Sequence, residues 1–85
     1  MNQVIIRDKV DSDTAFICDS MWRSSKQSLN MATVKGIIYD PKTQIKVACL
    51  PNDESIIIGY KINSDHIYVK VAFRNLGVEN LLRDA

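Results

Sequence analysis

The period of apolar and polar positions changes twice along this chain of 85 residues. Val4, Ile5 and Ile6 between polar neighbours read as a short first strand, and Asp11-Ser12-Asp13 follows as a helix-start cluster. Side-chain oxygens there accept from unpaired N–H groups, and their charge complements the helix dipole. From Thr14 to about Ser28 the spacing is helical, with Ile17, Cys18 and Met21 on the stripe and Phe16 and Trp22 widening it. Ser20, Ser24, Ser25 and Ser28 make the end of this helix polar and are expected to be solvated, because a nucleophilic serine needs a base and none stands near. Met31 to Tyr39 fits either a second helical stretch or a short strand, and Asp40-Pro41-Lys42-Thr43 then turns the chain.

Beyond this turn the period is two. Ile45, Val47 and Cys49 share one face from Gln44 to Leu50, and Ile56, Ile58, Tyr60 and Ile62 share one face of the next run. Pro51 to Ser55 between them reads as the five-residue loop of an antiparallel hairpin. After Asn63-Ser64-Asp65 a third run, His66 to Phe73, alternates Ile67, Val69, Val71 and Phe73 with His66, Tyr68, Lys70 and Ala72. The sum is an α+β domain: a mostly antiparallel sheet of about four strands, one N-terminal helix and a short C-terminal helix. One domain spans residues 1–85.

The passage from the third run into the last helix carries the strongest candidate chemistry. In Arg74-Asn75-Leu76-Gly77-Val78-Glu79 a glycine lets the backbone turn sharply and approach an anion, and an arginine offers a fork of donors. The first N–H groups of the following helix lack internal partners and carry positive partial charge. A plain strand-to-helix turn, with Gly77 serving only backbone geometry, explains the same spacing. His66, the only histidine, opens a strand and is expected at the surface or half-buried, and the tyrosines 39, 60 and 68 are expected to pack on the sheet.

Charge and composition narrow the classes. Eleven basic against ten acidic residues leave a net charge of +1, which argues against a dedicated binder of nucleic acid or anionic membrane. Between Ser20 and Leu50, Arg23, Lys26, Lys35, Lys42 and Lys46 against Asp40 alone form a basic flank, without aromatic interleaving, that reads as solvated. No apolar run approaches the length of a bilayer span and no signal peptide stands out, so a cytoplasmic location is expected. Cys18 and Cys49 are read as buried thiols, and two cysteines with one histidine at these spacings make no zinc signature.

The order of elements, with Gly59-Tyr60 late in the hairpin and the run Ile67-Tyr68-Val69-Lys70-Val71-Ala72-Phe73-Arg74-Asn75-Leu76-Gly77-Val78, resembles the first half of the GNAT (N-acetyltransferase) superfamily. The run looks like that family's Y-V-x-x-x-[FY]-R-x-x-G-[IV]-[GA] pattern. Asp19-Ser20-Met21-Trp22-Arg23-Ser24 also looks like the S-W-x-R-S helix of small GNAT-like proteins encoded by phages. By this resemblance Arg74, Asn75, Leu76, Gly77 and Val78 would hold the pyrophosphate of coenzyme A, with Val69 and Val71 on the strand that bonds the pantetheine arm. Glu79 stands where the family has glycine or alanine, and the chain reaches only Ala85, short of the family's later strands. The resulting expectation is a truncated, non-catalytic interaction protein, phage-borne, that holds no cofactor and modulates a bacterial host protein. Its 66–73 strand edge would pair with a second copy or with the host protein. The alternative is a minimal acetyl-CoA-dependent N-acetyltransferase, or a half-site enzyme completed by dimerisation.

Overall fold

A computed structural model describes residues 4–25, 28–64 and 66–85; Lys26 of the basic flank and Asp65 of the third loop lie outside them. Four strands, β1 (Ile5–Asp8), β2 (Ile45–Leu50), β3 (Asp53–Ile62) and β4 (His66–Val69), form one antiparallel sheet in the order β1-β2-β3-β4. Helices α1 (Thr14–Ser24) and α2 (Met31–Tyr39) pack on one face, and α3 (Val78–Asp84) packs on the other. The expected α+β class therefore holds, and the ambiguous segment 31–39 is a helix. Asn30 starts it: the side-chain oxygen accepts from the Thr33 N–H at 2.7 Å, satisfying one of the orphan donors of the first turn.

The larger core lies under α1 and α2. Ile17, Cys18 and Met21 of the helical stripe meet Val47, Cys49 and Tyr60 of the sheet, with Val34 and Ile38 closing the far side. Both cysteines are buried thiols, and burial pushes each above its ordinary pKa. Ser20 departs from the expectation of a solvated serine. It is buried and accepts a 3.0 Å hydrogen bond from the Tyr60 hydroxyl, because a buried phenol needs a partner. Burial raises the Tyr60 pKa to about 12, against the lowering effect of the Ser20 bond.

The smaller core, under α3, gathers Ala48, Ile58, Val69, Val78 and Leu82. Ile58 belongs here and not with Tyr60 because of a bulge: Ala48 lies opposite Gly59, but Cys49 lies opposite Ile57, so one extra residue of β3 flips the alternation. Ile57 takes the place in the larger core that strict alternation assigns to Ile58. The hairpin is also tighter than expected. Leu50 pairs with Asp53, leaving Pro51 and Asn52 as the loop, and the extra length of β3 is taken up at two register shifts, between Ala48 and Cys49 and between Cys49 and Leu50.

Arg7 and Asp13 bind β1 to the start of α1. The guanidinium donates to both Asp13 oxygens at 2.8 and 3.2 Å and to the Glu54 carbonyl at 2.8 Å, and the Val10 N–H reaches the same carboxylate at 3.0 Å. Burial opposes the Asp13 charge, yet the arginine fork and the Val10 N–H hold its carboxyl below the usual carboxylate range.

Candidate functional site

The alternating run after Asp65 does not stay a strand to Phe73. β4 ends at Val69, and Val71–Phe73 form a 3-10 turn in which the Phe73 N–H donates to the Lys70 carbonyl at 2.8 Å. Two bonds end the strand. The Lys70 N–H makes a last bond to the Ile58 carbonyl at 2.8 Å, and the Arg74 Nε donates to the Val69 carbonyl at 3.0 Å. Val71, expected beside Val69 on a continuing strand, instead stands 73 % exposed on the turn.

The same two bonds reveal which backbone groups face outward. In an antiparallel ladder, residues alternately turn both N–H and C=O to one neighbour or the other. Lys70 bonds inward to β3, and Tyr68, two residues before it, therefore faces inward as well. Ile67 and Val69 thus turn their amides and carbonyls to the open edge of the sheet. The Val69 carbonyl is taken by Arg74, which leaves the Ile67 N–H, the Ile67 C=O and the Val69 N–H along the edge.

At the C-terminal end of this edge the chain makes its turn. Asn75 and Gly77 both have positive φ, 67° and 85°, a region that costs most side chains energy and that glycine and asparagine tolerate. Among the described residues no side chain caps α3, and the first helical bond there is Leu81 N–H to Gly77 C=O at 3.2 Å. The N–H groups of Val78, Glu79 and Asn80 are therefore the unpartnered donors of the helix start. Beside them, a cleft of about 590 Å³ is lined by Ile67, Tyr68 and Val69 on the strand side and by Arg74, Asn75, Gly77, Glu79 and Asn80 on the turn side.

What holds the turn against the sheet is Gly59. A Cβ at this position would lie 2.7 Å from the Tyr68 carbonyl and 3.3 Å from Leu82 Cδ1, so only glycine lets β3, β4 and α3 approach this closely. Val78 and Leu82 then bury their side chains on Ile58 and Val69. At the far end of α3, the buried Lys61 ammonium donates to the Ala85 carbonyl, a cation at the negative end of a helix.

Of the seven residues expected to bind a coenzyme, Val69, Arg74, Asn75 and Gly77 line the cleft. Val78 contributes a backbone position while its side chain is buried, Leu76 is 54 % exposed outside the lining, and Val71 is displaced onto the 3-10 turn. Ile67, Tyr68 and Asn80 line the cleft without having been expected to, and Glu79, noted in the sequence as a departure from the family pattern, lines it too. Ile67 could have been found by its parity with Val69, two residues on. Glu79 does not enter the cleft as a lone charge: Arg83 lies 3.8 Å from its carboxylate and donates to Asn80 Oδ1 at 3.0 Å.

No family model matches the chain, and no curated protein matches it. Solved structures do. A GNAT-family acetyltransferase from Staphylococcus aureus Mu50 superposes with a TM-score of 0.67 at 15% identity, covering 96% of this chain and 62% of that one. An acetyltransferase from Vibrio fischeri gives a TM-score of 0.56 at 17% identity, covering 92% of this chain and 79% of that one. The fold of this chain is GNAT-like, and the chain spans less than two thirds of the length of the Staphylococcus structure. No helix among the described residues is long and apolar enough to cross a membrane.

Proposed function

We propose that the cleft beside β4 binds an acyl-coenzyme A, with the pantetheine arm along the strand edge and the pyrophosphate at the Arg74–Val78 turn. The observation that carries this reading is the continuity of two donor sets. Outward amides of Ile67 and Val69 suit the amide groups of a pantetheine arm, and the uncapped start of α3 beside Arg74 suits an anion. Among the described residues, the Arg74 Nη groups make no hydrogen bond, so the guanidinium keeps donors for a phosphate after its Nε has fixed the turn. Glu79 opposes such a ligand, and its pairing with Arg83 lessens the opposition.

Calorimetric titration with acetyl-CoA, paired with a thermal-shift measurement, tests the reading. Saturable heat and a raised melting temperature are expected, since a ligand that binds only the folded state stabilises it. No heat and no shift at millimolar acetyl-CoA would overturn it.

A second reading, a non-catalytic protein that binds a bacterial host protein or a second copy through β4, is favoured by a different observation. Val71, Leu76 and Leu81 are exposed on the 3-10 turn, the glycine turn and α3. An added strand would use the same Ile67 and Val69 groups, so partner and coenzyme would compete. Light scattering and affinity capture with and without acetyl-CoA separate the two: capture abolished by the coenzyme supports a shared edge, and a clean monomer with nothing captured removes the second reading.

A further inference from the structure

Among the described residues Lys61 is the only buried basic side chain, 8 % exposed, and two costs attach to its position. Burial strips an ammonium of its hydration. Lys46 also stands directly opposite it on β2, and like charges across a strand pair destabilise a sheet. Each ammonium has its own partner: Lys46 Nζ meets Asp8 at 2.6 Å, and Lys61 Nζ donates to the carbonyl of Ala85, the residue that closes α3. Among the described residues Lys61 meets no carboxylate, so the negative end of the helix is what holds its charge.

What the bond does follows from how α3 is attached. Its two buried side chains, Val78 and Leu82, lie four residues apart, a base of about 6 Å along the helix axis. Lys61 extends that base to Ala85, about 10 Å from Val78 along the same axis. A helix held over the longer base swings less, and what moves with its other end is the Arg74–Val78 turn. Resting on the acyl-coenzyme A reading of the cleft, we propose that Lys61 is a positioning residue for that ligand. It is not part of the cleft lining; it holds α3 in the pose that sets Arg74 and the turn against the Ile67–Val69 edge, and coenzyme affinity depends on its charge.

Coenzyme A titrations of the unmodified protein, Lys61→Met and Lys61→Arg, each paired with urea unfolding and amide hydrogen exchange, test this. Lys61→Met keeps the stem without the charge, and Ala85 is exposed, so water takes over the carbonyl. Replacing a buried ion by an apolar group of similar size is neutral or stabilising, so the urea midpoint is expected to hold or rise. Coenzyme A affinity is nevertheless expected to fall about five- to tenfold, the worth of a charge at a partly buried helix end, with faster exchange in α3 and none in α1. Lys61→Arg keeps the charge and the donors and is expected to recover most of the affinity. Lys61→Gln provides the neutral test should Lys61→Met fold poorly. Affinity unchanged in the neutral variants, or lost equally in Lys61→Arg, would overturn the proposal and leave the cleft reading standing. Failure of the unmodified protein to bind coenzyme A would bring down the cleft reading and this proposal with it.

Discussion

The two faces of the sheet are built for different tasks. Under α1 and α2 lies a broad core in which Ile17, Val34, Val47 and Tyr60 are completely buried and the buried polar groups, Ser20 and Tyr60, satisfy each other. Under the seven-residue α3 lies a small cluster of five buried residues, and every element of the cleft hangs from it. A helix this short is not stable by itself. It is held by Val78 and Leu82 on Ile58 and Val69, by the glycine gap at residue 59 and by the Lys61 cap. The larger core supplies the stability of the domain, and the smaller one spends part of it to fix a turn with two positive φ angles at the edge of the sheet.

Substituting one anchor of each core is the strongest way to break this contrast. Tyr60→Ala removes a fully buried ring stacked on Tyr68 at 5.2 Å, and a loss of about 3–5 kcal/mol is expected, seen as a lower urea midpoint for the whole domain. Leu82→Ala is expected to cost about 2–5 kcal/mol by the same cavity argument, but with a different signature. Amide hydrogen exchange should accelerate first in α3 and the glycine turn, while α1 keeps its protection. Equal loss of protection in α1 and α3 would show that the two cores unfold as one.

Gly59→Ala sharpens the comparison by forcing the seam between them. The added methyl cannot avoid the Tyr68 carbonyl at 2.7 Å, which is backbone and cannot swing aside, so a cost of about 1–3 kcal/mol is expected from thermal unfolding. Gly77→Ala is milder. A Cβ there meets no atom within 4 Å, and the penalty is only the left-handed φ of 85°, on the order of 1 kcal/mol. If the turn is an anion site, this variant loses acetyl-CoA affinity out of proportion to its small loss of stability.

The smallest effect belongs to the larger core's rim and has a defined pH sense. Asp13 has a folded pKa below its unfolded value, so the stability it contributes is fully present above the unfolded value and is lost as pH falls through the folded one. Denaturation midpoints are expected to decline below about pH 4 and to decline less in Asp13→Asn. A variant with an unchanged acid limb would show that the Arg7–Asp13 pair does not govern it.

The same contrast explains what could be read from the chain in advance. The stripe of Ile17, Cys18 and Met21 and the alternation of Ile45, Val47 and Cys49 follow from burial on a broad face, and periodicity reports burial faithfully there. The smaller core breaks periodicity. Ile58 reaches it through a bulge, and Val71 and Phe73 continue the alternation of Ile67 and Val69 in sequence while the chain has already left the sheet. What ends β4 is a side chain five residues away, Arg74 on the Val69 carbonyl, and alternation carries no record of such a bond. The turn itself was legible because glycine and arginine are chemically distinctive. Ile67 shares the parity of Val69 and could be paired with it in advance, but that both turn outward is shown only by the bond of Lys70 to Ile58.

Backbone amide chemical shifts, recorded while coenzyme A is titrated into the protein, test the central claim most directly. Saturable shifts at Ile67, Val69, Gly77 and Val78, with α1 and α2 unmoved, are the predicted result. Absent shifts, or shifts confined to the face that carries α1 and α2, would contradict it.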